Sequence, residues 1–251
     1  MNVLFDAIYE LQEATLMVGR AFRRSVSKPY YIRDIFAQMD SIGVGSLVII
    51  VLTGFFTGAI LALQTSNALK TFGATSVTGT LVMTSLVREM GPVLASLMLA
   101  GRVGSAIAAE LGSMVVSEQV DAMRALGTDP VKKLVWPRLV ALMIMTPALT
   151  LVADMVGTIG GWIVAVSLMK VASSVYINSA KEALTYNDII GGLVKPFVFG
   201  IIIAAVSCRA GLRTSGGTVG VGRSTTQAVV LSDILILVSD FFLGKLILSF
   251  S

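Results

Sequence analysis

The run from residue 78 to residue 116 is apolar enough to lie in lipid, yet about twice the ~20 residues that one bilayer crossing needs. A helix of that length must bend or project into an aqueous compartment. Gly91-Pro92 is the expected bend, because proline removes a backbone donor and its ring crowds the preceding turn. Arg88 and Glu89 lie just before it, inside apolar sequence. Ala100, Gly104, Ala108 and Gly112 follow four apart, with Gly101, Ser105, Ala109 and Ser113 as a second row. Small residues at this spacing let helix backbones approach closely in lipid. The run leads into Ser117–Leu126, which reads as a short amphipathic helix. Ser117 is its expected cap, and Glu118 suits the positive end of the helix. Val120, Met123 and Leu126 fall on one face, Gly127 stops the helix, and Asp129-Pro130 opens the next.

The remaining sequence points to the same solvent. Only 14% of the 251 residues are charged and 55% are hydrophobic, against about 25% charged in a soluble domain. The segments between apolar runs are too short for a soluble enzyme domain. A single cysteine, Cys208, and no histidine exclude a disulfide framework and a Cys/His metal centre, so no metal or cofactor is expected. Cys208 reads as a small apolar helix residue. The net charge of +4 does not indicate nucleic acid, because the positive charges are dispersed among hydrophobic segments. Anionic headgroups and membrane topology account for them. Asp6, Glu10 and Glu13 interrupt the start of the chain, so no cleavable signal is expected there.

Residues 1–44 read as amphipathic interfacial helices. The first covers 2–28, with Phe5, Ile8, Leu11, Leu16 and Phe22 set among charges, and a second follows Pro29 through Ile32, Ile35, Phe36, Met39 and Ile42. Cytosolic helices packed on a partner are the alternative for both. A membrane domain over 45–251 then holds apolar runs at about 45–66, 78–116, 131–170, 189–208 and 228–249, the first with Gly54 and Gly58 as a GxxxG. The 131–170 block is interrupted by Pro147, Asp154 and the glycines at 157, 160 and 161, so it could cross once or twice. Basic charge favours one crossing, which puts twelve Lys/Arg on the cytoplasmic side and only Lys70, Lys170 and Lys181 outside. The expectation is an all-α polytopic membrane protein with interfacial N-terminal helices and five transmembrane helices. Its N-terminus is inside, its C-terminus outside, and a short cytoplasmic helix lies between the second and third spans.

Arg88, Glu89, Arg102, Glu110, Asp154, Lys195 and Asp240 lie within or at the edges of these spans. Such charges cost about 2.5–3.5 kcal/mol each at a helix centre, so they pair or line a wet cavity. Lys195 and Asp240 are natural partners for Arg88 and Glu89, while Arg102 and Glu110 should pair with neighbouring helices. A purely structural ion-pair network fits these positions as well as a functional one. Gly217–Ser224 nearly spells a phosphate loop, with Arg223 in place of the lysine, but a hydrophobic span precedes it. It reads as a flexible cytoplasmic turn, with Ser224 or Thr225 capping the last helix. Nothing else looks like an ATPase, so energy from ATP would come from another chain.

The order and identity of residues in LVREMGPVLASLMLAGRVGSAIAAELGSMVVSEQVDAMRALGTDP, from Leu86 to Pro130, resemble the MlaE (YrbE-type) permeases. These are membrane subunits of ABC transporters that move phospholipid together with MCE proteins, and the resemblance covers nearly the whole chain. It implies a homodimer in a bacterial inner membrane, a separate ABC ATPase and a periplasmic MCE-domain protein, with room for a small cytoplasmic accessory protein. It implies that Glu118, Val120, Met123 and Leu126 belong to the helix that docks on the ATPase; in isolation that stretch could be only a connector. It places Leu61, Ala68, Leu69 and Phe72 in the lipid pocket, Phe72 standing where relatives often carry an aromatic hydroxyl. It puts Arg88, Glu89, Lys195 and Asp240 near the translocation region. The competing expectation is a self-contained ion-coupled secondary transporter using Arg88, Glu89 and Asp240, against which stands the missing inverted repeat. A passive scaffold would be indifferent to loss of the buried charges.

Overall fold

The computed structural model describes residues 2–25 and 30–249. Lys28 and Pro29 fall outside the described residues, as do the side chains of Phe5, Ile8 and Leu11 in the expected N-terminal stripe. Every regular element among the described residues is helical. The first is α1 (Asn2–Ser25). The second, α2 (Ile32–Lys70), joins the expected second interfacial piece and the first expected span into one helix. Gly43 and Gly45 do not interrupt it, and they serve close packing instead. A Cβ at Gly43 would meet the Met145 side chain at 2.3 Å, and one at Gly45 the Arg102 guanidinium at 2.3 Å. The helix closes where Gly73 takes a left-handed φ of 64° and the Ala74 N–H donates to the Leu69 carbonyl.

A short 3₁₀ turn, Thr75–Val77, leads into α3 (Thr78–Ser85), α4 (Gly91–Leu99) and α5 (Ser105–Val116). These are joined without a break by wide π turns at Leu86–Met90 and Ala100–Gly104. Gly91-Pro92, the expected place of a bend, thus follows directly on one widened turn and precedes another, each holding one extra residue. The short α6 (Gln119–Ala125) follows, then a third π turn, Val131–Val135, and α7 (Trp136–Ser167). The 131–167 stretch is one helical run that passes through Pro147 unbroken. An unexpected helix, α8 (Ser173–Ala183), precedes α9 (Tyr186–Leu212) and α10 (Gly217–Ser249). The glycine-rich 217–224 stretch is thus the first two turns of α10, not a flexible turn, and the expected caps Ser224 and Thr225 lie inside the helix. Among the described residues, four helical runs are long and apolar enough to cross a membrane: Ile32–Lys70, Thr75–Val116, Val131–Ser167 and Tyr186–Leu212. They contain the first, second and fourth expected spans, and the third, 131–170, up to Ser167, where the helix ends three residues early; the fifth, 228–249, lies within α10, where Asp233, Asp240 and Lys245 interrupt the apolar sequence.

The chain divides into two compact units. One comprises Met1–Ser46, Leu99–Met145 and Val198–Val238, the other Leu47–Met98, Thr146–Phe197 and Ser239–Ser251. In the first unit the small-residue ladder of α5 packs on α9. A Cβ at Gly104 would meet Ser207 Oγ at 2.9 Å, one at Gly112 would meet Thr214 Oγ1 at 2.7 Å, and one at Gly211 would meet the Ala108 carbonyl at 2.9 Å. In the second unit the GxxxG of α2 packs on α7: a Cβ at Gly54 would lie 2.6 Å from the Ala153 carbonyl, and one at Gly58 only 1.8 Å from that of Gly157. Neither contact tolerates any side chain larger than hydrogen. Beside it, Ala62, Val82, Leu86, Ala165, Val171 and Tyr176 form a buried cluster against which Leu61 packs. Burial pushes the Tyr176 phenol up to about 12, so α8 is held there by a neutral ring.

Candidate functional site: a buried lysine on an opened helix turn

Within the second unit, Pro92 sets the site. Without an N–H it cannot donate to the carbonyl four residues back, that of Arg88. The π turn at Leu86–Met90 accommodates the proline, and the freed Arg88 carbonyl accepts a 3.0 Å hydrogen bond from Lys195 Nζ on α9. The same ammonium donates to Glu89 Oε2 at 2.6 Å and lies 3.0 Å from Asp240 Oδ1 on α10. That last contact is an ion pair without hydrogen-bond alignment, since Asp240 Oδ1 has no hydrogen-bond donor. Lys195 is 2% exposed, so its ammonium is enclosed by one carbonyl and two carboxylates and donates to the carbonyl and to Glu89. Glycines let the helices close around it. A Cβ at Gly192, one turn before Lys195, would lie 2.8 Å from the Val87 carbonyl, and one at Gly244, one turn after Asp240, 3.5 Å from both Glu89 Oε1 and Lys195 Nζ.

Arg88 takes a different partner. Its Nε donates to Asp188 Oδ1 at 2.6 Å, while Asp188 Oδ2 accepts from the Thr185 N–H at 3.0 Å and the Thr185 hydroxyl at 2.7 Å. Asp188 is thereby anchored at the start of α9, and Arg88, 47% exposed, is the freer member of the pair. A cavity of about 230 Å³ opens onto these groups, lined by Arg88, Glu89, Asn187, Asp188 and Lys195 among others. Three carboxylates and two cations make the cluster formally anionic by one charge, and Glu89 and Arg88 present its exposed edge.

Of the partners expected for Arg88 and Glu89, Lys195 does pair with Glu89, but Asp240 pairs with Lys195 instead of either, and the Asp188 partner of Arg88 was not foreseen. Its signal was Thr185-x-x-Asp188, a helix-start pattern that fixes the carboxylate in place. In the first unit Arg102 donates to Ser46 Oγ at 2.7 Å on α2, and Glu110 pairs with the buried Arg138 of α7 at 2.7 Å. Asp154, in the second unit, is buried with Oδ1 unpartnered, pressed against Gly91 at the mouth of the opened turn.

The other expected site residues are scattered. Leu61 is half-buried on the core, Ala68 is exposed and Leu69 half-buried at the end of α2. Phe72 is 83% exposed beyond that end, so the common helical face supposed for Leu61, Leu69 and Phe72 does not reach Phe72. None of the four lines the Arg88–Lys195 cavity. In α6, Ser117 is not the cap: its hydroxyl donates back to the Ser113 carbonyl, and Glu118, left-handed at φ 58°, occupies the cap position without a side-chain bond. The stop is as expected: the Gly127 N–H donates to the Arg124 carbonyl and the Thr128 N–H to that of Met123, a Schellman pair. Asp129 Oδ1 accepts the Val131 N–H to open the next helix. The apolar residues of α6 are not equivalent, because Val120 is 3% exposed, Met123 intermediate and Leu126 83% exposed.

Residues 35–246 match the family model of the permease MlaE. A probable ABC transporter permease protein of Rickettsia felis is 47% identical over 88% of this chain and 85% of its own length. A protein of the same description from Synechocystis is 40% identical over 94% of this chain and 90% of its own. The chloroplastic protein TRIGALACTOSYLDIACYLGLYCEROL 1 of Arabidopsis thaliana is 36% identical over 92% of this chain and 66% of its own.

Proposed function

The chain belongs to the MlaE permease family, and from that premise we propose that this polytopic membrane protein moves phospholipid between an inner membrane and a periplasmic MCE protein. It would work as a homodimer with its N-terminus cytoplasmic, driven by a separate ATPase, with no covalent chemistry of its own. The observation that carries the reading is the family match across nearly the whole chain, joined to relatives described as ABC transporter permeases. Transport then follows from ATP-driven exchange between two conformations that favour the lipid differently.

Two features support the division of labour. Leu126 and Met123 offer apolar surface at the tip of α6 for an ATPase, while the buried Val120 ties that helix to its own unit. The Arg88–Glu89 edge offers one exposed cation and one exposed anion, a match for a zwitterionic headgroup's phosphate and amine. The exposed Ala68 and Phe72 and the half-buried Leu69 are proposed to meet acyl chains.

Purification in mild detergent should bring down an ATPase and an MCE-domain chain, and the reconstituted complex should move labelled phospholipid only with ATP. Proton-driven flux by this chain alone would instead establish the secondary transporter and remove the reading.

A further inference from the structure

We propose that the groove formed by α1, the end of α9 and the first turns of α10, within the first unit, binds the headgroup of an anionic phospholipid with an acyl chain on its floor. The groove has a volume of about 980 Å³ and shares no residue with the Arg88–Lys195 cavity. Three arginines, Arg209, Arg213 and Arg223, line it against a single carboxylate, that of Glu10. Glu10 pairs with Arg209 at 3.3 Å and with Arg213, and Glu13 reaches Arg209 at 3.9 Å. Arg223 has no acidic partner among the described residues. The N-terminal turn of the 33-residue α10 lines the same groove through Val219 and Gly220, with Gly216 just before it, adding the positive end of a helix to the arginines.

The floor decides between a lipid and a soluble anion. Val206, Ala210, Leu231 and Ile234 line it, and a free phosphate would leave the half-buried Ala210 and Leu231 and the exposed Ile234 uncovered, whereas an acyl chain covers them and holds its phosphate among the guanidiniums. The positive excess decides the headgroup, because a zwitterionic lipid would place its own cation beside unsatisfied arginines. The phosphate-loop-like stretch acquires a role here without nucleotide. Its helical conformation leaves no loop to cradle a polyphosphate, but it sets Arg223 on the groove. Glu10 is then a competitor, occupying on Arg209 and Arg213 the positions that a lipid phosphate would take.

The inference does not depend on the cargo or direction of transport, and its test needs neither ATP nor partner. The purified full chain is offered phosphatidylglycerol and phosphatidylcholine in equal amounts, and retained lipid is counted by native mass spectrometry. Wild type should retain phosphatidylglycerol preferentially. Arg223→Gln should lower that preference roughly fivefold, the worth of one basic residue near an anionic headgroup. Glu10→Gln should raise it, a gain that misfolding cannot mimic. Ala210→Trp, which fills the floor, should reduce lipid retention. An unchanged preference in both Arg223→Gln and Glu10→Gln overturns the proposal. Displacement by millimolar inorganic phosphate as complete as by unlabelled phosphatidylglycerol overturns it in favour of a soluble anion. A cysteine at position 223 that cross-links two copies at the expense of lipid overturns it in favour of a second copy in the groove.

Discussion

Lys195 is the residue on which three helices depend, and its environment makes the outcome of replacing it specific. Removing it leaves Glu89 and Asp240 facing each other and takes from the Arg88 carbonyl the donor that Lys195 supplies. Breaking a buried pair in this way costs about 3–5 kcal/mol, so Lys195→Met should lower the melting temperature of the purified protein markedly. Pro92 is the hidden partner. Pro92→Ala restores an N–H able to serve the Arg88 carbonyl, so Lys195→Met should cost less in that background, by roughly 0.5–3 kcal/mol of coupling. Strict additivity in the double-mutant cycle would show that the carbonyl contact contributes nothing. The charge swap is weaker than it looks: Glu89→Lys should abolish transport, but adding Lys195→Glu can restore only part of it, since a carboxylate cannot donate to the Arg88 carbonyl. Normal transport by Glu89→Lys alone would remove the cluster from the mechanism.

At the scale of elements, α6 separates docking from folding. Leu126 is nearly fully exposed, so Leu126→Asp should leave the permease intact while releasing the ATPase; Val120→Asp buries a charge and should unfold the α6 region itself. Co-purification and melting temperature, measured together, distinguish the two variants, and an intact complex with normal ATP turnover in Leu126→Asp would move the docking surface elsewhere. The α2–α7 contact makes a parallel case. A methyl group at Gly58 already collides with the Gly157 backbone, so Gly58→Ala should destabilise the second unit far more than Gly73→Ala, where nothing lies within 4 Å and only the left-handed backbone resists. Equal melting temperatures for the two variants would show that α2 and α7 can part at little cost.

At the scale of the molecule, topology and the lipid path are open to direct measurement. With Cys208 replaced by Ser, a cysteine at the exposed Asn178 should react with an impermeant reagent from outside, and one at the exposed Thr218 should not. The reverse pattern would mean that residues 131–167 do not carry the chain across once. Tyr176 would be a poor reporter, being 1% exposed. A photo-crosslinker at Leu69 or Phe72 should capture phospholipid in the assembled complex, whereas at Ala108, buried against α9, it should capture protein. Lipid capture no greater at 69 and 72 than at the exposed Leu52, a lipid-facing control, would reduce the site to annular lipid.

Low charge, long apolar runs and small residues four apart were enough to read an all-α membrane chain, its first four long helices and the rows along which helices pack closely, whereas the α2–α7 and α5–α9 pairings came only with the fold. These are local and compositional properties, and solvent choice and close backbone approach follow from them directly. The family, too, was legible in Leu86–Pro130. Helix ends were not, where packing rather than propensity decides: Gly43 and Gly45 sustain α2 because Met145 and Arg102 occupy their space. Nor was α8, whose anchors Tyr176 and Ala180 carry no long apolar period. For the charge cluster, residue type nominated Glu89, Lys195 and Asp240, but only the folded chain decided that Lys195 would serve the carbonyl Pro92 sets free and that Arg88 would turn to Asp188. A sequence states which groups are costly to leave alone in lipid; which of them meet is decided by helix rotation and register, and these are set by contacts a hundred residues apart.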